Sequence, residues 1–459
     1  MMENKKRKPL DMLHGSIWNK LPLFALPVAA TAILEQLFNA SDIAVVGNFT
    51  GAGKTIAVAA VGANSSIISL IVNLFVGIAL GANVVIANAI GKKDKEAVTK
   101  AVHTSIIIAI LAGIGVAIAG ELVVAPLLVS LQVPEDVFPE ALLYLRIYLI
   151  GMPVILLYNF EAAIFRSTGD TKTPLIVLII SGVLNILLNL FFVAVLHMTV
   201  NGVAIATVIS NAVSSVLLFY RLVKTKEMIH VEWKKLRIDR KILEQIMRIG
   251  LPAGIQSAVF AVANIVIQSA INSLGTIVMA ASSAAYNIEI FAYDILNSFS
   301  QACTTFVGQN YGAGQIRRCR KVLALCIVED AIATACVIVL ILLTGKGLLS
   351  IFNNDPEVIS VGYTRLIMVF SAYTFSMLYE NMSGYMRGFG FSLIPAIVTT
   401  LGICGVRIFW IMTVFPAHKT FSGILTAYPV SLSVTALLVF VVLVIYHPSK
   451  RLQTDKGEM

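Results

Sequence analysis

The sequence predicts an all-α integral membrane protein of about twelve transmembrane helices, built as two parallel six-helix repeats. Three observations predict it. The chain is 58% hydrophobic and only 13% charged, with a mean hydropathy of +0.87, whereas a soluble domain carries about twice that share of charge. Its apolar stretches reach the roughly 20 residues that span hydrocarbon at about 1.5 Å per helical residue. A single spacing relates loop and span residues of the first half to those of the second.

Apolar runs between polar breaks place spans at 21–46, 56–90, 98–124, 140–165, 174–196, 200–222, 249–271, 278–307, 322–343, 359–385, 395–414 and 424–446. Several exceed the minimum, so tilt, kinks or helix beyond the bilayer are expected. Pro27 and Pro153 lie inside spans and are kink candidates. The first span follows the basic run Lys5–Lys8 and is too long for the apolar core of a signal peptide, so it reads as retained. The organisation expected is a cytoplasmic tail at 1–20, a first lobe at 21–223, a linker at 224–248, a second lobe at 249–446 and a tail at 447–459. In the linker Leu236, Ile238, Ile242, Leu243 and Ile246 alternate with charges, suggesting a short amphipathic helix on the cytoplasmic face.

Lysine and arginine set the orientation. They gather at Lys5–Lys8 and Lys20, Lys92–Lys100, Arg166 and Lys172, Arg221–Arg248, Arg317–Lys321, Arg387 and the C-terminal tail. The opposite loops hold Lys54, Lys346 and Lys419, while Arg146, Arg365 and Arg407 fall within spans. This bias puts both termini in the cytoplasm, explains the net charge of +9 without nucleic acid, and fits an even number of spans.

The halves share one offset. Arg166 and Arg387 stand 221 positions apart, as do Gly169 and Gly390, Pro174 and Pro395, Tyr158 and Tyr379, Gly91 and Gly312, and Lys100 and Lys321. Six spans per half insert both halves the same way up, which makes a parallel repeat, an arrangement common in transporters.

Enzyme signatures are weak or absent. The stretch NFTGAGKT at 48–55 is one glycine short of a phosphate loop and follows no strand. There is no H-E-x-x-H and no C-x-x-C, and the five cysteines (303, 319, 326, 336 and 404) form neither a disulfide framework nor a zinc pattern. No ATPase domain exists in the chain, so an ion gradient is the expected energy source and no cofactor is expected.

The repeated loops carry a family resemblance. GQNYGAG at 308–314 followed by Arg317, FRSTGDTKTP at 165–174, GVAIATVIS at 202–210, and a first span with Pro27, Gln36, Asp42 and Gly47 resemble the multidrug and toxic compound extrusion (MATE) family. The likeness covers nearly the whole chain in order. It implies a MATE-like fold of the MOP superfamily, with two lobes around a central cavity. It implies export of organic, mostly cationic compounds by antiport with H+ or Na+ through alternating access, from the plasma membrane of a bacterium, as a monomer in contact with lipid. A lipid-linked precursor flippase of the same superfamily is the alternative reading.

A carboxylate at the bilayer centre costs about 2.5–3.5 kcal/mol on insertion scales, so intramembrane acids are functional candidates. These are Glu35, Asp42, Glu161, Glu289, Asp294, Glu329, Asp330 and Glu380, with Glu329 and Asp330 close enough to the inner end of their span to reach water. Asp42 follows Glu35 by two turns on one helix face. The resemblance makes Asp42 the first-span acid of a coupling-ion site for H+ or Na+, with Asn185, Asn189 and Thr207 supplying further oxygens. Some family members carry an acid where this chain has Asn189. The alternative is that Asp42 only hydrogen-bonds across helices and holds its lobe together. Glu35, Gln36, Tyr158, Glu289, Asp294, Tyr379 and Glu380 are candidates for a substrate or second-lobe site. No acid occurs between Pro252 and Ile271, where some relatives place one. Met152, Met198, Met377, Met382 and Met386, with Tyr158, Tyr379 and Phe389, are candidates for an adaptable cavity lining, or simply for packing.

Overall fold

The computed structural model describes residues 9–50, 54–131, 133–417 and 419–449. The basic run Lys5–Lys8, the tail residues Lys450, Arg451 and Lys456, and positions 51–53 of the NFTGAGKT stretch lie outside them. All twelve apolar stretches are helical. They are α1 (Leu21–Phe49), α2 (Lys54–Gly91), α3 (Lys95–Ser130), α4 (Phe138–Ile150) with α5 (Met152–Ser167), α6 (Lys172–Leu190) and α7 (Val200–Lys224). The second half has α8 (Arg240–Asn272), α9 (Thr276–Gly312), α10 (Ile316–Ser350), α11 (Pro356–Phe370) with α12 (Tyr373–Gly388), α13 (Leu393–Thr399) with α14 (Val406–Thr413), and α15 (Phe421–Leu425) with α16 (Ala427–Tyr446). No strand occurs among the described residues.

Among those residues nine helical runs are long and apolar enough to cross a bilayer, and the bent pairs α4–α5 and α11–α12 raise the number to eleven. The remaining stretch, α9, is 37 residues long but is interrupted by Asn287, Glu289, Asp294, Asn297 and Gln301.

Proline explains one bend and not the other. The α4–α5 axes meet at 51° around Gly151, two residues before Pro153, which has no N–H to give and whose ring crowds the carbonyl four residues back. The α11–α12 pair bends by 46° at Ser371–Ala372, the same place in the repeat, although Thr374 stands where the first half has Pro153. Pro27 lies in the interior of α1, which continues on both sides of it.

The repeat extends to backbone conformation. Gly169 and Gly390 both adopt left-handed φ values, +92° and +87°, and donate to the carbonyls of Arg166 and Arg387 at 2.9 and 2.8 Å. In the other repeated turn Gly314 has φ +75° and its counterpart Lys93 has φ +58°. A residue with a Cβ is strained there by about 1–2 kcal/mol. Lys93→Gly is therefore expected to raise the melting temperature of the detergent-solubilised protein, by a stabilisation of about 1 kcal/mol; an unchanged or lower value contradicts the strain.

The linker differs from its expected form. Thr225–Asp239 is irregular apart from one tight turn at Trp233–Lys235, and the next helix, α8, starts at Arg240 and runs unbroken to Asn272. Asp239 caps it by accepting from the Lys241 and Ile242 amides at 3.0 and 3.1 Å. No stop signal follows. Ile242, Ile246 and Ile249 bury themselves in the first-half core instead of lying on headgroups. The irregular stretch is tied down where the Val231 amide donates to the Leu222 carbonyl at 3.1 Å. The Glu232 amide donates to His103 Nε2 at 3.2 Å and the Asp239 amide to Thr104 at 3.0 Å. Lys235, 2.6 Å from Glu232, holds that carboxyl below its usual range.

The chain divides into two compact units, one of Ala30–Leu251 and one of Asp11–Ala29 with the chain from Pro252 onward. Asp11–Ala29 thus groups with the second half, whereas the expected boundaries put residues 11–20 in a tail and 21–29 in the first lobe. Its side chains explain the grouping. Met12 is fully buried, and its carbonyl accepts from Asn310 Nδ2 at 3.1 Å and Arg318 Nε at 3.3 Å. Phe24 meets Phe306 edge to face at 5.9 Å. In the second unit α12 lies close against α9 at Gly384 and Gly388, where an added Cβ would fall 2.6 Å from the Ser300 carbonyl and 2.6 Å from Val307, a small-residue contact of the kind membrane helices use.

A candidate coupling-ion site in the first unit

Four side chains from three helices of the first unit converge. Asp42 of α1 is 5% exposed and Asn189 of α6 is fully buried. Asn189 Nδ2 donates to Asp42 Oδ1 at 2.6 Å and to Asn185 Oδ1 at 3.1 Å. The Thr207 hydroxyl of α7 donates to Asp42 Oδ2 at 3.0 Å, and Asn185 Nδ2 reaches that hydroxyl at 3.4 Å. Asn185 and Asn189 are one turn apart, so α6 presents both to the same point. Asn189 Oδ1 is buried without a hydrogen-bond partner. No cation lies within ion-pair distance of Asp42 among the described residues. A buried carboxylate with two donors and no counter-charge beside it is an arrangement that can take up one monovalent cation.

Close packing sets this geometry. A Cβ on Gly182 of α6 would fall 1.7 Å from the tip of the Phe38 ring on α1. Phe38 is one turn before Asp42, and Gly182 is one turn before Asn185. Gly182→Leu is expected to displace α1 from α6, lower stability by about 1–3 kcal/mol and impair ion-driven transport, read as melting temperature and transport in one preparation. Unaltered values for both would remove Gly182 from the account.

The other candidates divide between the units, Glu35, Gln36 and Tyr158 in the first and Glu289, Asp294, Tyr379 and Glu380 in the second. Glu35 is exposed, although it shares a face with Asp42, and interacts electrostatically with Arg166. Gln36 is half-buried beside it. Tyr158 is buried in the first-unit core with its hydroxyl unbonded. Tyr379 is buried in the second-unit core, and Asp294 is half-buried on α9. Glu380 accepts from the Tyr293 hydroxyl at 3.3 Å and faces Arg387 at 3.6 Å.

Glu289, a substrate or second-lobe candidate, is already engaged by a cation of its own unit. Arg365 Nε and Nη2 donate to its two oxygens at 2.7 and 3.0 Å, with Ser282 and Tyr428 taking further guanidinium hydrogens. Sequence reasoning noted Arg365 inside a span and missed its partner 76 positions away. It also placed Asp330 and Glu329 near water, whereas both are buried. Of the methionines and aromatics, all but Met198 are buried.

The fold is that of a membrane transporter with two related halves. The MatE family model matches residues 27–191 and 252–413, one stretch in each half, and the chain belongs to this family, the multidrug and toxic compound extrusion transporters. It is 27% identical over 450 residues to the probable multidrug resistance protein YoeA of Bacillus subtilis (strain 168), covering 96% of this chain and 95% of that one. It is 26% identical over 398 residues to the probable multidrug resistance protein NorM of Thermotoga maritima, covering 85% and 84%. A solved outward-facing multidrug resistance MATE transporter of the MOP superfamily superimposes with a TM-score of 0.88 at 22% identity, covering 99% of this chain and 100% of that one.

Proposed function

We propose that the protein is a secondary active exporter of organic, mostly cationic and amphipathic compounds, driven by antiport of H+ or Na+. It works in a bacterial plasma membrane with both termini cytoplasmic. The observation that carries this reading is the Asp42 cluster: a buried carboxylate, held by Asn189 and Thr207, beside an amide oxygen with no partner. The names of the relatives, probable multidrug resistance proteins, support the substrate class.

A proton on Asp42 Oδ2 is accommodated by rotation of the Thr207 hydroxyl from donor to acceptor. A sodium ion would draw on the carboxylate, Thr207 and the two amide oxygens of Asn185 and Asn189, an all-oxygen set suited to a hard cation. Either cation neutralises Asp42. It shifts the balance between the two access states only by binding one more tightly than the other. The test is gradient swapping in proteoliposomes. Ethidium movement is expected to follow an imposed proton or sodium gradient and to stop when that gradient is collapsed; movement indifferent to both overturns antiport.

Arg407 favours the flippase reading. It is buried, bonds Ser431 at 3.0 Å and covers the Tyr428 ring at 4.3 Å, and no carboxylate lies within ion-pair distance of it among the described residues. A lipid-linked diphosphate would supply that charge. Translocation of such a lipid in the same liposomes, without dye movement, would select this alternative.

A further inference from the structure

The second unit contains a buried carboxylate that neither the repeat nor the ion pairs explain. Asp330 lies on α10, fourteen residues from the helix start and so about 21 Å along it, and is fully buried. Asn381 Nδ2 of α12 donates to its Oδ2 at 2.6 Å, and the Thr334 hydroxyl donates to its Oδ1 at 2.8 Å. Asn381 is itself fully buried, and its Oδ1 has no hydrogen-bond partner. Among the unit's other buried acids, Glu289 is paired with Arg365 and Glu380 with Arg387, while Glu329 is buried with both carboxyl oxygens unbonded. Asp330 has no cation within ion-pair distance among the described residues and, unlike Glu329, is held by neighbouring side chains in a hydrogen-bonded cluster.

We propose that Asp330, with Asn381 and Thr334, is a second proton-binding site, separate from the Asp42 cluster. Both clusters have one design: a buried aspartate, an asparagine amide at 2.6 Å, a threonine hydroxyl and an unpartnered asparagine oxygen. They are not copies made by the repeat. The residues 221 positions before Asp330, Thr334 and Asn381 are Ala109, Gly113 and Phe160, and those 221 after Asp42, Asn189 and Thr207 are Ala263, Trp410 and Tyr428. The other half thus holds a glycine, an apolar or an aromatic residue at each equivalent place, so neither cluster is a feature that the repeat calls for.

The chemistry selects a proton. A hard metal cation gathers several oxygens, and this cluster offers a carboxylate, one hydroxyl and one amide oxygen, one amide oxygen fewer than the Asp42 cluster. No group of three or more His, Cys, Asp or Glu side chains fit to hold a metal occurs among the described residues. A proton needs one acceptor. It fits on Asp330 Oδ1, where the Thr334 hydroxyl rotates from donor to acceptor while Asn381 continues to donate to Oδ2. No heavy atom moves. The titratable groups around Asp330 are Glu329, the preceding residue, buried with both carboxyl oxygens unbonded, and Glu380 of α12, which interacts with it electrostatically and lies 3.6 Å from Arg387. Cys326, one turn back on α10, interacts with Cys303 of α9. The arginine of α11, Arg365, is committed to Glu289.

The site stands on its own geometry, and its consequence for transport rests on the antiport reading: two protons per cycle, one in each unit. The test uses the full-length protein in lipid, labelled with carboxyl-13C aspartate and titrated by infrared or NMR spectroscopy. In Asp42→Asn a buried aspartate carboxyl is expected to titrate still. That signal should vanish on adding Asp330→Asn and shift with Asn381→Leu, which supplies the answer if Asp330→Asn does not fold. Absence of any titrating buried aspartate in Asp42→Asn overturns the site, as does a signal that ignores both second-unit substitutions. In transport, Asp330→Asn should lower the proton-to-substrate ratio from two to one, read from the reversal potential; an unchanged ratio overturns the coupled role. A wild-type protein that moves no substrate under any gradient would defeat the antiport reading and leave the titration result standing.

Discussion

Asparagine in place of Asp42 is expected to abolish gradient-driven transport while leaving the folded protein and its affinity for substrate largely intact. The side chains are nearly isosteric. The amide oxygen of the new side chain can keep accepting from Asn189 Nδ2, the 2.6 Å contact of the wild type, and Thr207 can turn its hydroxyl to accept from the new amide nitrogen. What disappears is the charge, and with it the ability to be neutral in one state and ionised in another. Coupling between two ligands is worth about 1–3 kcal/mol, a change of about 5–150-fold in affinity, and all of it depends on differential binding of the ion. The measurement is dye transport in proteoliposomes against an imposed gradient, together with dye binding in detergent and the melting temperature. Gradient response lost with binding and stability kept is the expected pattern. A gradient response equal to wild type removes Asp42 from coupling. A response lost only because the protein unfolds assigns Asp42 to holding α1 against α6 and α7. Asn189→Asp is the complementary change: it adds a second carboxylate about 3 Å from the first, where two like charges raise the demand for a bound cation.

Much of this architecture is legible in the sequence because the bilayer imposes a local signal. Apolar length alone placed each of the twelve stretches on a helix, and the offset of 221 reappears as paired left-handed turns at Gly169 and Gly390. The Asp42 cluster was legible for different reasons. The i, i+4 spacing of Asn185 and Asn189 puts them on one face, and the family resemblance attaches that face to Asp42 and Thr207. Elsewhere the local signal ends. The bend at Ala372 has no proline to announce it, and α8 swallowed the expected linker helix because nothing between Ile246 and Pro252 stops a helix. Arg365 with Glu289, and Asp330 with Asn381, are pairs between residues 76 and 51 positions apart. Each looks, in sequence, like an isolated charge in a span. Whether such a charge is satisfied or available depends on which neighbouring helix turns a partner toward it, and one sequence carries no record of that choice.

The largest loss of stability is expected from breaking the Arg365–Glu289 pair from the carboxylate side. Arg365 is 2% exposed and spends its donors on Glu289, Ser282 and Tyr428. Glu289→Ala leaves a guanidinium buried without a counter-charge, and removal of one partner of such a pair costs about 3–5 kcal/mol. The two Tyr rings that flank the guanidinium, at 5.5 and 5.9 Å, recover only part of this, since a cation over a ring is worth about 2 kcal/mol when desolvated. Removing both charges is a different experiment. In the double replacement Glu289→Leu with Arg365→Met no buried charge remains, so the loss should be much smaller than the sum of the single losses and close to neutral. Melting or denaturant unfolding of the four proteins in one detergent gives the coupling energy directly. Additive losses would mean that the two side chains act independently and that the bidentate geometry contributes little. Non-additivity with dye binding retained in the double variant would place Glu289 in the scaffold of the second unit and outside the path of a cationic substrate. A double variant that is stable but no longer binds dye would return Glu289 to the substrate site, with Arg365 as the charge a cationic ligand displaces.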